Sequence, residues 1–305
     1  MKDFKNKVAV ITGAGSGMGR ELAIQFVERG AKVAINDWNK ESLAETFNMI
    51  NHLGGKGKAY HFDVSDKSTV YDFSREVIED FGQVDIVINN AGFTLPAKSI
   101  ELTEYDDFEK LMGVNMWGVI YGSKAFLPYL KKRPDAVLMN TSSVFGIFGY
   151  PTQGPYCTAK FAVRGFTETL RLELELEGVE NVKVCCIHPG GIQTGIVKNI
   201  DHSKSNLTKS EIEEAEKNFQ DYCPTTASEA ASQIIRAIER QNPKLLIGRD
   251  AKFMDFVARL FPTSYSRFLL KDLKTNEEAI AKAFAPDDNQ IEKIRKETLN
   301  EHLIR

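Results

Sequence analysis

Tyr156 and Lys160 stand four residues apart in Tyr156-Cys157-Thr158-Ala159-Lys160. On a helix that spacing puts a phenol and an ammonium on one face. A free phenol ionises near pH 10, at about three units above neutrality, and a neighbouring cation favours the phenolate. That pairing suits a general acid or base that moves a proton to or from oxygen. The pattern YxxxK is common in any long sequence and carries little by itself. Ser143 lies 13 residues before Tyr156, just past an apolar run. Its hydroxyl can hydrogen-bond a substrate oxygen and hold the charge that develops there. Ser142, beside it, reads as a turn residue.

A second group of residues suits a phosphate. Thr12-Gly13-Ala14-Gly15-Ser16-Gly17-Met18-Gly19 follows a β-branched run and opens a helical pattern. Glycines there allow a tight turn and close approach to a pyrophosphate, and a helix N-terminus adds free N–H groups and partial positive charge. The fit is to TGxxxGxG through Gly13, Gly17 and Gly19; GxGxxG fails because Met18 stands where its last Gly would be. Asp37 follows 18 residues after Gly19, where a carboxylate can bind the adenosine ribose hydroxyls and repel a 2′-phosphate. Trp38 and Asn39 come next, and position 16 is Ser, so no cation stands in the usual places for that phosphate. These features favour NAD(H) over NADP(H). The alternative for Asp37 is a turn or capping role.

Alternating elements must position these groups. Strands are expected at Val8–Thr12, Val33–Asp37, Lys58–Asp63, Asp85–Asn89, Val137–Thr141, Val182–His188 and Lys244–Ile247. Between them, helices are expected at Gly19–Arg29, Glu41–Leu53, Lys67–Phe81, Tyr105–Tyr129 and Tyr156–Leu176. This alternation implies βαβ units: an α/β, doubly wound, seven-stranded parallel sheet with helices on both faces. Such sheets bind ligands beyond the carboxyl ends of their strands, and the residues above all fall there. Residues 1–248 form the expected cofactor-binding catalytic domain. Within it, the polar stretch 193–225 reads as a substrate lid or as a solvated excursion.

Residues 249–305 read as a C-terminal helical extension. Ala251–Leu270 mixes Phe253, Phe256, Leu260, Phe261 and Leu269 with Lys252, Arg259 and Arg267. Packing on its own domain or on a sister subunit is the preferred reading, and contact with a membrane surface is the alternative. The segment Thr275–Arg305 is highly charged and is expected to be helical or frayed. A formal charge of −3 from 39 basic and 42 acidic residues gives no reason to expect nucleic acid. Cys157, Cys185, Cys186 and Cys223 form no CxxC pair and no metal-ligand spacing with His. Met1–Lys7 precedes no signal-peptide run, and no stretch has the length of a membrane span, so a cytoplasmic location is expected.

Taken together, TGxxxGxG at Thr12–Gly19, Asn89-Asn90-Ala91-Gly92 and YxxxK at Tyr156–Lys160 resemble the short-chain dehydrogenase/reductase family over about Lys5–Gly248. The resemblance implies a single Rossmann-like domain and a catalytic tetrad of Asn115, Ser143, Tyr156 and Lys160. Tyr156 would be the general acid/base and Ser143 would place the substrate oxygen. Lys160 would bind the nicotinamide ribose and lower the Tyr156 pKa, and Asn115 would hold a water linking Lys160 to solvent. Asp63 and Val64 would meet the adenine, while Asn90, Ala91 and Gly92 would line the cofactor beside Gly13, Ser16, Gly17, Met18 and Gly19. Pro189, Gly190, Ile192 and Thr194 would meet the nicotinamide, the last two at its carboxamide. Asn115 as a helix-kink residue and Thr194 as a helix cap remain open. Members of the family are commonly dimers or tetramers, which implies a homo-oligomer. Pro155 before Tyr156 departs from the family pattern but is acceptable in a first helical turn.

Between Ser143 and Tyr156 lies Val144-Phe145-Gly146-Ile147-Phe148-Gly149-Tyr150. Phe145 and Tyr150 are expected to wall a substrate pocket, with no basic cluster to bind a carboxylate or phosphate. The expected substrate is an apolar alcohol, ketone or aldehyde, lipid-like or steroid-like. A non-catalytic NAD-binding regulator on the same fold is the alternative. It would be expected to lack part of the tetrad, and all four residues are present.

Overall fold

The computed structural model describes residues 1–196, 200, 208–273 and 284–285. Its strands are β1 (Val8–Thr12), β2 (Lys32–Asp37), β3 (Lys56–His61), β4 (Ile86–Asn89), β5 (Ala136–Thr141), β6 (Val182–Pro189), β7 (Ile192–Gln193), β8 (Thr225–Thr226) and β9 (Lys244–Ile247). Its helices are α1 (Gly17–Glu28), α2 (Lys40–His52), α3 (Lys67–Phe81), α4 (Tyr105–Met112), α5 (Gly118–Leu130), α6 (Gly154–Leu176), α7 (Lys209–Tyr222), α8 (Ala227–Arg240), α9 (Arg249–Leu260) and α10 (Tyr265–Leu273). Seven strands form one parallel sheet in the order β3-β2-β1-β4-β5-β6-β9. The chain winds outward from β1 in both directions, so the strand order reverses between β1 and β4. That reversal opens a crevice at the carboxyl ends of those two strands.

Strand alternation supplies both cores. Ala9, Ile11, Val33, Ile35, Ile86 and Ile88 point to one face and pack with Leu22, Phe26, Ile50, Ile234 and Ile238 from α1, α2 and α8. Val8, Val10, Ala34, Val87 and Leu138 point to the other and pack with Phe73, Val77, Phe126, Leu130 and Leu174 from α3, α5 and α6. A strand covered on both faces has no polar alternation, and every residue of β1 is buried.

Three expectations change. The helix expected over Tyr105–Tyr129 is interrupted by a π-helical turn, Gly113–Trp117, with the buried Asn115 at its centre. A short parallel pair, β7 with β8, lies outside the seven expected strands. The tail stripe Ala251–Leu270 is two helices, because Phe261 leaves the helical region (φ −128°, ψ 63°) before Pro262, as the residue preceding a proline tends to do. The expectation for Thr275–Arg305 falls outside the described residues, apart from 284–285.

Candidate active site

The Gly-rich turn joins β1 to α1 at the crevice. Gly13 takes a positive φ of 64°, and a side chain on Gly19 would collide with the Gly13 carbonyl. Ser16 is exposed at the start of α1 and makes no side-chain capping bond, so no hydroxyl competes for the first-turn N–H groups near Gly17, Met18 and Gly19. Asn90 anchors the opposite bank: its N–H donates to Thr12 Oγ1 at 3.0 Å and its side chain donates to the Thr12 carbonyl at 3.1 Å. The Ala91 N–H shares the Thr12 hydroxyl at 3.1 Å. Thr194 faces the turn from above, where a Cβ on Gly17 would lie 3.1 Å from its methyl group. These residues fit the pyrophosphate half of a dinucleotide.

Asp37 ends β2 at the same mouth. Its Oδ2 accepts the Gly15 N–H at 2.8 Å and its Oδ1 the Asn39 N–H at 2.9 Å. The carboxylate therefore braces the turn, and each oxygen keeps a further lone pair for a hydroxyl. Arg20, which the sequence did not single out, donates to the Gly15 carbonyl at 3.0 Å and to Thr46 at 2.9 Å, and pairs with Glu45 at 3.0 Å. Asp63 accepts the Ser65 N–H at 2.9 Å. Val64 is buried against Gly118 of α5.

The reactive residues gather one strand further along. Ser143 follows β5, and Tyr156 and Lys160 occupy the first two turns of α6, which starts at Gly154 with Pro155 in the tolerated first turn. Ser143 stands near enough to Tyr156 for its hydroxyl to act on the phenol's proton affinity. The Lys160 ammonium lies 5.5 Å from the Tyr156 ring centre and donates to the Thr141 carbonyl at 2.9 Å. Asn115 exchanges two bonds with the Phe93 backbone, at 3.0 and 2.8 Å. A Cβ on Gly92 would lie 3.2 Å from Asn115 Oδ1 and 3.4 Å from Lys160 Nζ, so the Asn89–Gly92 segment, the π-turn and Lys160 converge.

Burial rules the proton affinities. It pushes the Tyr156 phenol up to about 12, against a lowering influence from the nearby Ser143 hydroxyl. It pushes the Lys160 ammonium down to about 8. Sequence reasoning assigned the lowering of Tyr156 to Lys160. In the structure Ser143 is the group that opposes burial there, because the lysine is itself desolvated and turned toward Thr141.

A sequence model described as short chain dehydrogenase matches residues 7–205. The chain belongs to the short-chain dehydrogenase family. A putative oxidoreductase, SadH, of Mycobacterium tuberculosis is 38% identical over 269 residues, spanning 88% of this chain and 96% of that protein. Among solved structures, a short-chain dehydrogenase/reductase from Burkholderia phymatum in complex with NAD matches with a TM-score of 0.74 at 29% identity, covering 81% of this chain and 90% of that one. An alcohol dehydrogenase from Thermococcus sibiricus, complexed with 5-hydroxy-NADP, matches with a TM-score of 0.65 at 26% identity, covering 80% and 96%. This short-chain dehydrogenase is accordingly an oxidoreductase.

Aromatic rings cluster beside the dehydrogenase's Tyr156. Phe145 stacks on Tyr150 with ring centres 4.6 Å apart and meets Tyr156 edge-on at 6.2 Å. Behind these rings stands the C-terminal extension: Met254, Ala258, Tyr265 and Leu269 pack against Val144 and Phe148, and the Gly149 N–H donates to the Tyr265 hydroxyl at 3.2 Å. Ile192 is buried in the core and paired with Thr225, and Gln220 of α7 donates to the Thr194 carbonyl at 2.7 Å. Pro189 closes β6, and Gly190 donates to the Ile247 carbonyl at 3.0 Å.

Two supporting residues escaped the sequence reading. Ser142 is more than a turn residue: its hydroxyl donates to the Lys160 carbonyl at 2.7 Å and ties α6 to the end of β5. His188 is fully buried with Nδ1 3.0 Å from the Ser143 carbonyl, and burial pushes its ring down to about 4. A neutral ring with the proton on Nδ1 donates to that carbonyl and steadies Ser143. Only the parallel pairing of β5 with β6 reveals this contact, since 45 residues separate the two in sequence.

Proposed function

We propose that this dehydrogenase interconverts an apolar alcohol, lipid-like or steroid-like, with its ketone or aldehyde, using NAD(H). The observation that carries this reading is the convergence of Asn115, Ser143, Tyr156 and Lys160 beside the Gly-rich turn. The cofactor supplies the hydride acceptor or donor, and its oxidised ring adds positive charge beside the phenol. The Ser143 hydroxyl and the Tyr156 phenol bind the substrate oxygen together. Tyr156 takes the hydroxyl proton in oxidation and returns it in reduction. Lys160 holds the nicotinamide ribose, and the Ser143 hydroxyl opposes the rise that burial imposes on the phenol. Asn115 supports a water path from Lys160 to solvent. The first turn of α1 binds the pyrophosphate, Asp63 and Val64 border the adenine, and Ile192 and Thr194 receive the carboxamide.

NAD(H) is favoured over NADP(H) by Asp37 together with Arg20. The guanidinium closest to the turn is already committed to Gly15, Thr46 and Glu45, which leaves the Asp37 carboxylate to face a 2′ substituent. The apolar substrate is supported by Phe145 and Tyr150 and by the apolar packing behind them.

We read residues 1–248 as the catalytic unit, 193–225 as its lid and 249–305 as an extension, with 197–199 and 201–207 of the lid outside the described residues. A homodimer or homotetramer is supported by the exposed Trp117, Phe161 and Leu172 near the π-turn and on α6. Among the described residues no helix is long and apolar enough to cross a membrane. The outward Phe253, Phe256 and Leu260 of α9, among Lys252 and Arg259, are the surface for peripheral lipid contact.

The test is titration with NADH and NADPH, followed by oxidation of a panel of apolar secondary alcohols. Tyr156→Phe should bind NADH as the wild type does and lose about 10²- to 10⁴-fold in turnover. Tighter binding of NADPH would overturn the Asp37 assignment, and full turnover by Tyr156→Phe would overturn the mechanism.

A further inference from the structure

Asp250 lies beyond the segment matched by the family's sequence model, which ends at residue 205, yet it reaches the cofactor bank. It is the second residue of α9. Its Oδ2 accepts the Gly191 N–H at 2.6 Å. Its Oδ1 is buried and has no hydrogen-bond partner among the described residues. The carboxylate is wedged between backbones, and a side chain on Gly190 or on Gly248 would collide with it. From the other side Cys223 and Pro224 close on Gly191, where a Cβ would lie 3.1 Å from the sulfur and 3.3 Å from the proline ring.

A carboxylate oxygen that is buried without a partner is unfavourable, and the N-terminus of α9 offsets only part of that. What the placement achieves is control of a flexible joint. Gly190 and Gly191 are consecutive glycines, the pair of residues with the widest backbone freedom. Just beyond them Ile192 pairs with Thr225, and Thr194 lies against Gly17 of the Gly-rich turn. The direction of the Gly191 peptide therefore sets where Ile192 and Thr194 emerge.

We propose that Asp250 is a positioning residue that pins the Gly190–Gly191 joint and so holds Ile192 and Thr194 at the nicotinamide end of the cofactor cleft. This rests on the NAD(H) reading above. The C-terminal extension then serves the active site twice, through Asp250 on the cofactor side and through Tyr265 on the Phe145–Tyr150 side.

The test compares wild type, Asp250→Ala and Asp250→Asn by calorimetric titration with NADH and with ADP-ribose, which lacks the nicotinamide. Asp250→Ala should weaken NADH about tenfold and leave ADP-ribose within about twofold. Asp250→Asn keeps an oxygen that accepts the Gly191 N–H and should restore NADH affinity. Asp250→Ser keeps a polar start to α9 but falls short of Gly191, and it gives the same contrast if the alanine variant does not fold. Unchanged NADH affinity in the alanine or serine variant overturns the proposal alone. Equal weakening of both ligands also overturns it, because general loosening of the fold would do that. Failure of the wild type to bind either ligand overturns the NAD(H) reading, and this inference with it.

Discussion

Replacing Lys160 with Met should make the apoprotein more stable near pH 7, even though it removes a residue of the reactive group. Lys160 is 2% exposed, and burial lowers its ammonium from 10.5 to about 8. Between those values the unfolded chain holds a proton that the folded chain has released. Stability therefore rises with pH through that window, and below it the fold carries the full penalty of a buried cation. At about 1.4 kcal/mol per pH unit the penalty near neutrality is about 3 kcal/mol. Methionine fills similar space without charge but removes the donor to the Thr141 carbonyl, now at 2.9 Å, a loss of about 1–2 kcal/mol. The net gain is about 1–2 kcal/mol, roughly 2–6 °C in Tm for a chain of this size. Urea unfolding of both proteins near neutrality and again near pH 10.5 measures it. The advantage should be present near neutrality and reversed at the higher pH, where the folded wild type has long released the Lys160 proton and the burial penalty is gone. A Lys160→Met variant that is less stable near neutrality, or a gap that does not change with pH, would refute the reasoning.

Two further outcomes follow from buried charge. His188 is held down from 6.5 to about 4 by burial, so the unfolded chain binds its proton first as the medium is acidified. Stability should fall by about 3 kcal/mol across that window, and His188→Gln should lack this share of the loss. Parallel stability–pH curves for the two proteins would contradict the burial argument. Asp85 is fully buried and accepts the Val8 N–H at 2.9 Å, Gln83 at 2.8 Å and Arg133 at 2.9 Å. Asp85→Ala strands these donors beneath β1 and β4 and should cost about 3 kcal/mol by chemical denaturation. A loss of under about 1 kcal/mol would mean that the donors find water instead.

Much of the architecture was legible because both faces of the sheet are covered. Uninterrupted apolar runs such as Val8–Ile11 and Ile86–Ile88, spaced by helical patterns, leave few alternatives to a doubly wound sheet. The strand ends are near the expected positions, the largest shift being the third strand at Lys56–His61. The π-turn at Gly113–Trp117 was not legible, since Gly113-Val114-Asn115-Met116-Trp117 keeps a helical pattern. Convergence with Gly92 and Lys160 puts Asn115 in its place. The β7–β8 pair was equally hidden, because each strand is two residues long and its partner lies more than 30 residues away.

What the sequence by itself determined is the set of chemical groups and the end of the sheet on which they lie: glycines after β1, an acid at the end of β2, a hydroxyl after β5 and a phenol and ammonium at the start of α6. Local spacing and the period of each element suffice for that. The tertiary structure alone decided how these groups are tuned and held. Desolvation raises Tyr156 and lowers Lys160, His188 steadies Ser143 across two strands, and Asp250 grips Gly191 from a helix that begins 58 residues later. Each of these depends on which atoms lose water and which distant backbones meet. Those are properties of packing, and no local pattern of residues encodes them.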